Sequence, residues 1–288
     1  MKRVPLLLAL ILLPLACVHA ELKVASLSTI TSDIASNVGG DKVTVIPIIR
    51  PGIDPHEFEP TPREMEQIAK ADLVLITGKG IEAYLAKLQQ AMGGKEKFVD
   101  VGKAFPSLKL ESEGQKIEDP HWWHSIENMK KAVVAVENRF IATDPENKAT
   151  YEKNAAAYLL KLTELEKWAR LKIAQLPATQ RKLVTSHDAF QYFARDYGFT
   201  IYSVQGISTD DQPSSKKIRD LIDTIKRENV KAVFFENIEN PKVVAEITRE
   251  SGARVGGALY ADGLGDKVAT TYPDMVRYNI TTIVDSLK

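Results

Sequence analysis

Cysteine is nearly absent from this chain of 288 residues, in which Cys17 is the single cysteine. Cys17 lies in an N-terminal stretch that is typical of an export signal, with Lys2 and Arg3 followed by the apolar residues 6–15 and by small residues up to Ala20. If cleavage follows Ala20, the mature chain of 268 residues contains no cysteine. Disulfides, thiolate metal sites and cysteine nucleophiles are then all excluded.

Lipidation at Cys17 is the competing interpretation of this segment, because Leu15 and Ala16 precede the cysteine as in a lipoprotein signal. Pro14 and Leu15 fit poorly where such a signal usually carries an aliphatic and then a small residue. We therefore favour a signal peptide cleaved after Ala20 and expect a periplasmic protein.

The chain also lacks an excess of charge and a long hydrophobic run. It has 38 basic and 38 acidic side chains, and loss of Lys2 and Arg3 with the signal leaves 36 basic side chains, a net charge of −2. This balance gives no support to binding of nucleic acid or an anionic membrane. The apolar run over residues 6–15 is far shorter than the roughly 20 residues of a membrane-spanning helix.

Short apolar segments alternate with longer amphipathic ones, which is typical of parallel sheets covered by helices on both faces. A capping box of Thr61 and Glu64 predicts a helix over 62–70, whereas the charged segment 109–118 predicts a surface loop. We predict an α/β fold of two lobes, each a roughly four-stranded parallel sheet flanked by helices. The predicted strands are residues 22–27, 43–49, 72–76 and 98–101, then 183–186, 200–204, 232–236 and 254–259.

One long helix over about 145–175 is predicted to join the lobes, beginning with Asp144 and Pro145 and ending before Pro177. About 30 residues at 1.5 Å each would span roughly 45 Å, and two shorter helices broken near Thr163 are the alternative. Its predicted apolar face consists of Tyr151, Tyr158, Leu162, Leu165 and Ala169. The predicted units are a signal peptide (1–20), an N-terminal lobe (21–143), the linking helix (144–176) and a C-terminal lobe (177–288).

Histidine is scarce as well, and its placement is the most informative feature of the chain. Of the five histidines, His19 lies in the signal, whereas His56 and His121 each follow an Asp-Pro pair and His187 follows a predicted strand. Asp262 closely follows another strand, and ligands bind outside the carboxyl ends of strands in open α/β sheets. Because neutral imidazole is the commonest metal ligand, these four side chains, 65, 66 and 75 residues apart, predict one metal site.

Each of these residues, taken alone, also has a structural interpretation. His121 could be a packed polar residue beside two tryptophans, His187 could belong to a catalytic pair or a helix start, and Asp262 could be a turn residue. The aspartate of each Asp-Pro-His element could accept a ring N–H or cap a helix. We expect His124 to lie beside the ligands rather than to bind the metal itself.

The motifs together resemble the metal-binding solute receptors of bacterial ABC transporters for zinc and manganese. Four motifs, in the same order as in the family, carry the resemblance. A further loop also resembles the family. The motifs are residues 54–62, 119–123, 185–193 and 259–264, and the loop is 206–209 with 212–214. The resemblance implies a metal held between the lobes by His56 and His121 from the N-terminal lobe and by His187 and Asp262 from the C-terminal lobe.

The resemblance also implies the cargo and the partner. In this family the third ligand is typically glutamate in manganese receptors and histidine in zinc receptors, so His187 favours Zn²⁺ over Mn²⁺. Three imidazoles and one carboxylate suit tetrahedral zinc, whereas manganese prefers oxygen-rich sites of higher coordination. We expect a monomer that delivers metal to an ABC permease, with a metallochaperone as a further candidate partner. The chain departs from the family in lacking a histidine-rich loop over 109–118 and in having Ser125 in place of an acidic residue.

Two functions of other classes compete with a receptor. A secreted zinc hydrolase would use three of the ligands, with Asp262 or Glu57 as general base. No His-Glu-x-x-His element supports it, and four protein ligands fill a tetrahedron, so we predict that the chain is not an enzyme. A scaffold protein with a structural metal would unfold without it, whereas a receptor stays folded. For metal release we expect local motion around His56, His121 or Asp262, because the long helix limits closure of the lobes.

Overall fold

The computed structural model describes residues 21–112, 115–209, 211, 213–236 and 242–288. The predicted export signal and both of its processing sites, Ala20 and Cys17, lie outside the described residues. Within these ranges, no helix combines the length and the apolar character that crossing a membrane requires.

The N-terminal lobe contains a sheet of four parallel strands in the order β2-β1-β3-β4. These are β1 (Leu22–Ser26), β2 (Val43–Pro47), β3 (Leu73–Ile76) and β4 (Phe98–Asp100), and the accompanying helices are α1 (Thr29–Gly39), α2 (Pro62–Ala69) and α3 (Leu85–Ala91). Every residue of β3 is buried, as expected of a central strand covered on both faces. The predicted capping box starts α2, where the Glu64 carboxylate accepts the Thr61 backbone N–H at 2.7 Å.

Residues 109–112 and 115–118 form two paired strands, and the prediction of a loop over these residues is wrong. Strands β5 (Lys109–Ser112) and β6 (Gln115–Glu118) pair antiparallel, with Leu110 opposite Ile117 and Lys109 opposite Glu118. An apolar pair beside a pair of opposite charges stabilises a two-stranded ladder. One apolar residue in each strand is too few to produce a visible alternation, so the sequence pattern of this segment consists mostly of charged and polar residues.

Two long helices follow, α4 (Ile126–Thr143) and α5 (Lys148–Ile173). The predicted single long helix is confirmed as α5, which has 26 residues and continues through Thr163; at 1.5 Å per residue it spans about 39 Å. It begins after a 3-10 turn, Pro145–Asn147, because the Asp144 carboxylate accepts from the Asn147 amide at 2.8 Å and the Tyr151 hydroxyl at 2.6 Å. One face of α5 is buried, comprising Tyr151, Ala155, Tyr158, Leu162, Leu165, Ala169 and Ile173.

The C-terminal lobe contains a second sheet of four parallel strands, in the order β10-β9-β7-β8. The strands are β7 (Lys182–Thr185), β8 (Thr200–Ser203), β9 (Ala232–Glu236) and β10 (Arg254–Leu259), with helices α6 (Gln191–Tyr197), α7 (Ser215–Arg227), α8 (Lys242–Ser251) and α9 (Tyr272–Leu287). All eight predicted strands are present with ends within two residues of the prediction. The α/β fold of two four-stranded lobes joined by a long helix is confirmed.

A shared core and one buried carboxylate connect the lobes to α5. A single hydrophobic cluster extends from Val24 of the first sheet to Leu259 of the second. Asp33 of α1 accepts hydrogen bonds from the Tyr158 hydroxyl of α5 and from the Tyr272 backbone N–H, at 3.3 Å, at the start of α9. These contacts oppose a rigid-body closure of the lobes. The residue boundaries predicted for the lobes stay a prediction.

Candidate metal centre

Four side chains from four different loops meet between the lobes, and they are the four that the sequence predicts: His56, His121, His187 and Asp262. One nitrogen or oxygen atom of each lies within 4.8 Å of the corresponding atom of every other. His56 lies between β2 and α2, and His121 lies between β6 and the 3-10 turn Trp122–His124. His187 and Asp262 follow the carboxyl ends of β7 and β10, where parallel strands direct their loops to one edge of the sheet.

Five of the six separations between the donor atoms are nearly equal. The Nε2 atom of His121 is 3.3 Å from Nε2 of His56 and 3.2 Å from Nε2 of His187. The Oδ1 atom of Asp262 is 3.6, 3.3 and 3.5 Å from the Nε2 atoms of His56, His121 and His187. A regular tetrahedron with such edges has its centre about 2.0–2.2 Å from each corner, which is the length of a bond from zinc to nitrogen or carboxylate oxygen.

The centre is almost sealed from solvent. The side chains of His121 and His187 have no exposed surface, that of Asp262 is 2% exposed and that of His56 is 7% exposed. Among the described residues, neither carboxylate oxygen of Asp262 has a hydrogen-bond donor in suitable geometry. A buried carboxylate without a donor is costly, and a cation at the centre would satisfy it.

Asp119 fixes the orientation of His121. One oxygen of its carboxylate accepts both the backbone N–H and the ring Nδ1–H of His121, each at 2.9 Å. The two roles that the sequence left open, ring support and capping of the local turn, therefore fall on one atom. Because Nδ1 carries the proton, the lone pair on Nε2 faces the centre and is free to bind a metal.

Glu236 does the same for His187, and the sequence analysis missed it. Its carboxylate accepts the His187 backbone N–H at 3.1 Å and the ring Nδ1–H through its other oxygen. Glu236 is the last residue of β9, so its position at the end of a buried apolar strand was the signal that could have identified it. Two of the three imidazoles thus direct Nε2 to the centre, where a metal could bind it.

Charge at the centre favours a bound cation over an empty site. Burial lowers the pKa of His121 and His187, but their hydrogen bonds with Asp119 and Glu236 and the nearby charge of Asp262 outweigh burial and raise both pKa values. Burial alone would raise the pKa of Asp262, whereas the neighbouring imidazoles hold it well below its usual range. Protons and a metal ion compete for the same imidazole nitrogens, so a metal ion that binds there would displace any protons.

The loop that carries His56 contacts the opposite lobe through Asp54. One oxygen of Asp54 accepts the His56 backbone N–H at 2.8 Å, and the other accepts the Thr209 hydroxyl at 2.7 Å. Thr209 belongs to the loop that follows β8 in the C-terminal lobe. The hydrogen bond between Asp54 and Thr209 therefore links the loop of the most exposed ligand across the cleft.

His124 lies outside the group of four donor atoms. Its Nε2 atom is 2.8 Å from the carbonyl oxygen of Ala261, and its ring stacks on Phe190 with centroids 4.3 Å apart. This agrees with the expectation that His124 lies beside the ligands.

Comparisons with known proteins identify the family. The chain matches the family described as ZnuA, zinc-uptake complex component A, periplasmic, over residues 24–286. It is 36% identical over 276 residues to the manganese-binding lipoprotein MntA of Bacillus subtilis (strain 168), covering 93% of this chain and 90% of MntA. It is also 33% identical to the iron-binding protein YfeA of Yersinia pestis, covering 91% of this chain and 85% of YfeA.

The fold agrees with that match. The solved structure of the periplasmic zinc-binding protein TroA from Treponema pallidum superposes on this chain with a TM-score of 0.88 at 30% identity, covering 93% of this chain and 99% of TroA. Sequence and fold thus agree over nearly the whole described chain. The chain therefore belongs to the ZnuA family of periplasmic solute-binding receptors that supply metal ions to ABC transporters.

Proposed function

We propose that this chain captures Zn²⁺ between its lobes, with His56, His121, His187 and Asp262 as the four ligands, and delivers it to an ABC permease for uptake. The observation that carries the proposal is the spacing of the donors, because five of their six separations are 3.2–3.6 Å, the edge length of a tetrahedron around a zinc ion. Three imidazoles and one carboxylate at that spacing are a ligand set that zinc accepts without rearrangement.

The separation between His56 and His187 distinguishes a tetrahedral ion from an octahedral ion bound by all four side chains. Any four corners of an octahedron include at least one opposite pair, separated by about 4.2 Å for bonds of about 2.1 Å. Five of the six pairs here are too close for that, and the sixth, between His56 and His187, lies within 4.8 Å. A larger ion would therefore have to place His56 and His187 on opposite sides.

Manganese is the second candidate cargo. The relatives MntA and YfeA carry manganese and iron in their names, whereas TroA is named as a zinc-binding protein. Zinc binds such sites more tightly than manganese in general, so affinity alone does not identify the cargo. The nitrogen-rich ligand set and the tetrahedral spacing are what favour zinc for this chain.

Delivery, rather than catalysis, follows from the family. Its members are substrate-binding receptors and not enzymes, and an associated permease is implied. The hydrolase considered from the sequence is therefore not proposed. We propose that the receptor acts as a monomer, and a metallochaperone remains a candidate donor of the metal.

We also propose that the protein is exported and works outside the cytoplasm. The names of MntA of Bacillus subtilis and SsaB of Streptococcus sanguinis describe lipoproteins, which favours lipidation at Cys17 over the cleavage after Ala20 that the sequence suggested. Metabolic labelling with a radioactive fatty acid tests this choice. Label that is lost in Cys17→Ser supports a lipoprotein, and an unlabelled protein starting at Glu21 supports cleavage after Ala20.

The test of zinc capture is a competitive titration of the chelator-stripped protein against a chromophoric zinc chelator, with excess Mn²⁺ added to the zinc-loaded form. We expect one tightly bound zinc per chain that manganese does not displace. His187→Ala should abolish tight binding, because it removes one corner of the tetrahedron.

Asp188→Asn is the matched control, because the Asp188 carboxylate adjoins His187 in sequence but accepts from the Gln191 amide at 2.7 Å. It should bind zinc like the unmodified protein. Displacement of zinc by manganese would make manganese the cargo, and tight zinc that persists in His187→Ala would contradict the proposed ligand set.

A further inference from the structure

The loop that carries Asp262 is held in place by both lobes, and the residues nearest the ligand are bonded to the opposite lobe. The carbonyl oxygen of Ala261, one residue before the ligand, accepts the Trp123 indole N–H at 2.7 Å and lies 2.8 Å from the His124 Nε2 atom. On the other side of the ligand, the Leu264 backbone N–H donates to the Thr29 hydroxyl of α1 at 2.8 Å. All three partners belong to the N-terminal half of the chain, although Asp262 follows β10.

The protonation of His124 is fixed by its surroundings. A carbonyl oxygen can only accept, so Nε2 of His124 carries the hydrogen and donates it to Ala261. Burial, and then the nearby His121, lower the pKa of His124 to about 3, so the ring stays neutral. His124 therefore supplies one hydrogen bond of constant character, without a charge of its own that would repel a bound cation.

The two donors act on the same point of the backbone. Trp123 is itself fixed, because its carbonyl oxygen accepts the Tyr272 hydroxyl at 2.7 Å. The His124 ring is clamped against Phe190. With two rigid donors on its carbonyl, the peptide between Ala261 and Asp262 has little freedom to rotate, and the carboxylate that follows keeps its direction.

We propose that His124, together with Trp123, is a positioning residue that holds the Asp262 carboxylate at the fourth corner of the tetrahedron through the Ala261 carbonyl. The inference deepens the proposed function and rests on it for the effect on metal. Ligands need to be placed within about 0.5 Å of their working geometry. A looser carboxylate weakens zinc and also lets the oxygens adopt the higher coordination that manganese prefers, so His124 contributes to selectivity.

The test compares two substitutions of one ring. His124→Phe keeps an aromatic ring against Phe190 and loses the donor, and a cavity of about 20 Å³ beside the ring leaves room for it. His124→Gln restores an N–H near the position of Nε2. Tyr197→Phe is the control, because Tyr197 lines the same cavity without a hydrogen bond to Ala261.

For His124→Phe we expect a zinc dissociation constant about 10-fold higher, the low end of what loss of a supporting hydrogen bond costs a metal site. The dissociation constant for manganese should rise by a smaller factor. Cobalt-loaded protein should lose the intense visible absorption of a tetrahedral ion, which a purely structural role of His124 would not alter. His124→Gln and Tyr197→Phe should bind zinc and cobalt like the unmodified protein.

Hydrogen exchange of the metal-free protein separates this inference from the proposed function. His124→Phe should raise amide exchange in residues 260–264 and leave it unchanged around His56. If the unmodified protein binds no zinc but amide exchange in residues 260–264 rises in His124→Phe, the positioning role stands and the proposed function fails. If zinc affinity, cobalt absorption and exchange in His124→Phe all match the unmodified protein, the positioning role is wrong.

Discussion

The charge on Asp119 should strengthen zinc binding although Asp119 does not touch the proposed metal. Its Oδ1 atom accepts both the backbone N–H and the ring N–H of His121, and its Oδ2 atom has no hydrogen-bond partner among the described residues. In Asp119→Asn the amide oxygen can take the place of Oδ1, and the amide nitrogen then occupies the position without a partner. The shape of the site is kept, and the negative charge is removed.

The size of the effect follows from that single charge. A hydrogen bond to a charged acceptor contributes about 1.5–3 kcal/mol, against about 0.5–1.5 kcal/mol for a neutral one. The difference of about 1–1.5 kcal/mol in how firmly the ring is held corresponds to about a tenfold change in affinity. Loss of the charge also makes Nε2 of His121 less basic, which weakens its bond to zinc further. We therefore expect the zinc dissociation constant to rise about 10- to 100-fold, the range seen when the hydrogen-bond partner of a metal-binding histidine is removed.

The assay is the competitive zinc titration at neutral pH, with Asp188→Asn as the control for removing a carboxylate charge from the same region. Circular dichroism and urea unfolding of the metal-free variant check that it is folded. A folded Asp119→Asn that binds zinc as tightly as the unmodified protein would refute the reasoning, because the ring would then be oriented by something other than Asp119.

Three further predictions concern release and stability. Thr209→Val removes the hydrogen bond to Asp54 and should speed zinc dissociation about 2- to 10-fold in stopped-flow chelation; an unchanged rate would place release elsewhere than the His56 loop. Burial raises the pKa of Glu82 to about 7, above its ordinary 4.5, so the folded state retains this proton as pH rises between those values. The free energy of unfolding should therefore fall over that interval by up to about 3 kcal/mol and then level off, and Glu82→Gln should remove this component in urea unfolding; curves that stay parallel would contradict it. Tyr158→Phe leaves Asp33 with one donor fewer and should lower the free energy of unfolding by about 1–3 kcal/mol without changing zinc affinity; a loss of affinity would mean that the junction at α5 shapes the site.

The parts of the molecule that sequence could predict are those that depend on local patterns. Central parallel strands are buried on both faces and therefore form short apolar runs, which is why 232–236 was predicted with its observed ends. Strand 254–259, at the edge of the same parallel sheet, was also predicted with its observed ends. The carboxyl ends of such strands share one edge, so His187 and Asp262 could be expected to meet. The capping box of α2 is likewise a local signal.

The parts that sequence could not predict depend on how distant segments dock. His124 and its acceptor Ala261 are 137 residues apart, and Asp54 and Thr209 are 155 residues apart. Such pairs become neighbours only when the lobes pack against each other and α5. Sequence could therefore name the four proposed ligands, but not that residues of the N-terminal half help to hold the loop of Asp262.

X-ray absorption at the zinc edge of the zinc-loaded protein tests the central claim most directly, because it counts the ligands of the bound ion and measures their distances. The four-ligand site predicts four nitrogen or oxygen neighbours at about 2.0–2.1 Å, with the multiple scattering of three imidazoles. Five or six neighbours at longer distances, or fewer than three imidazoles, would contradict it.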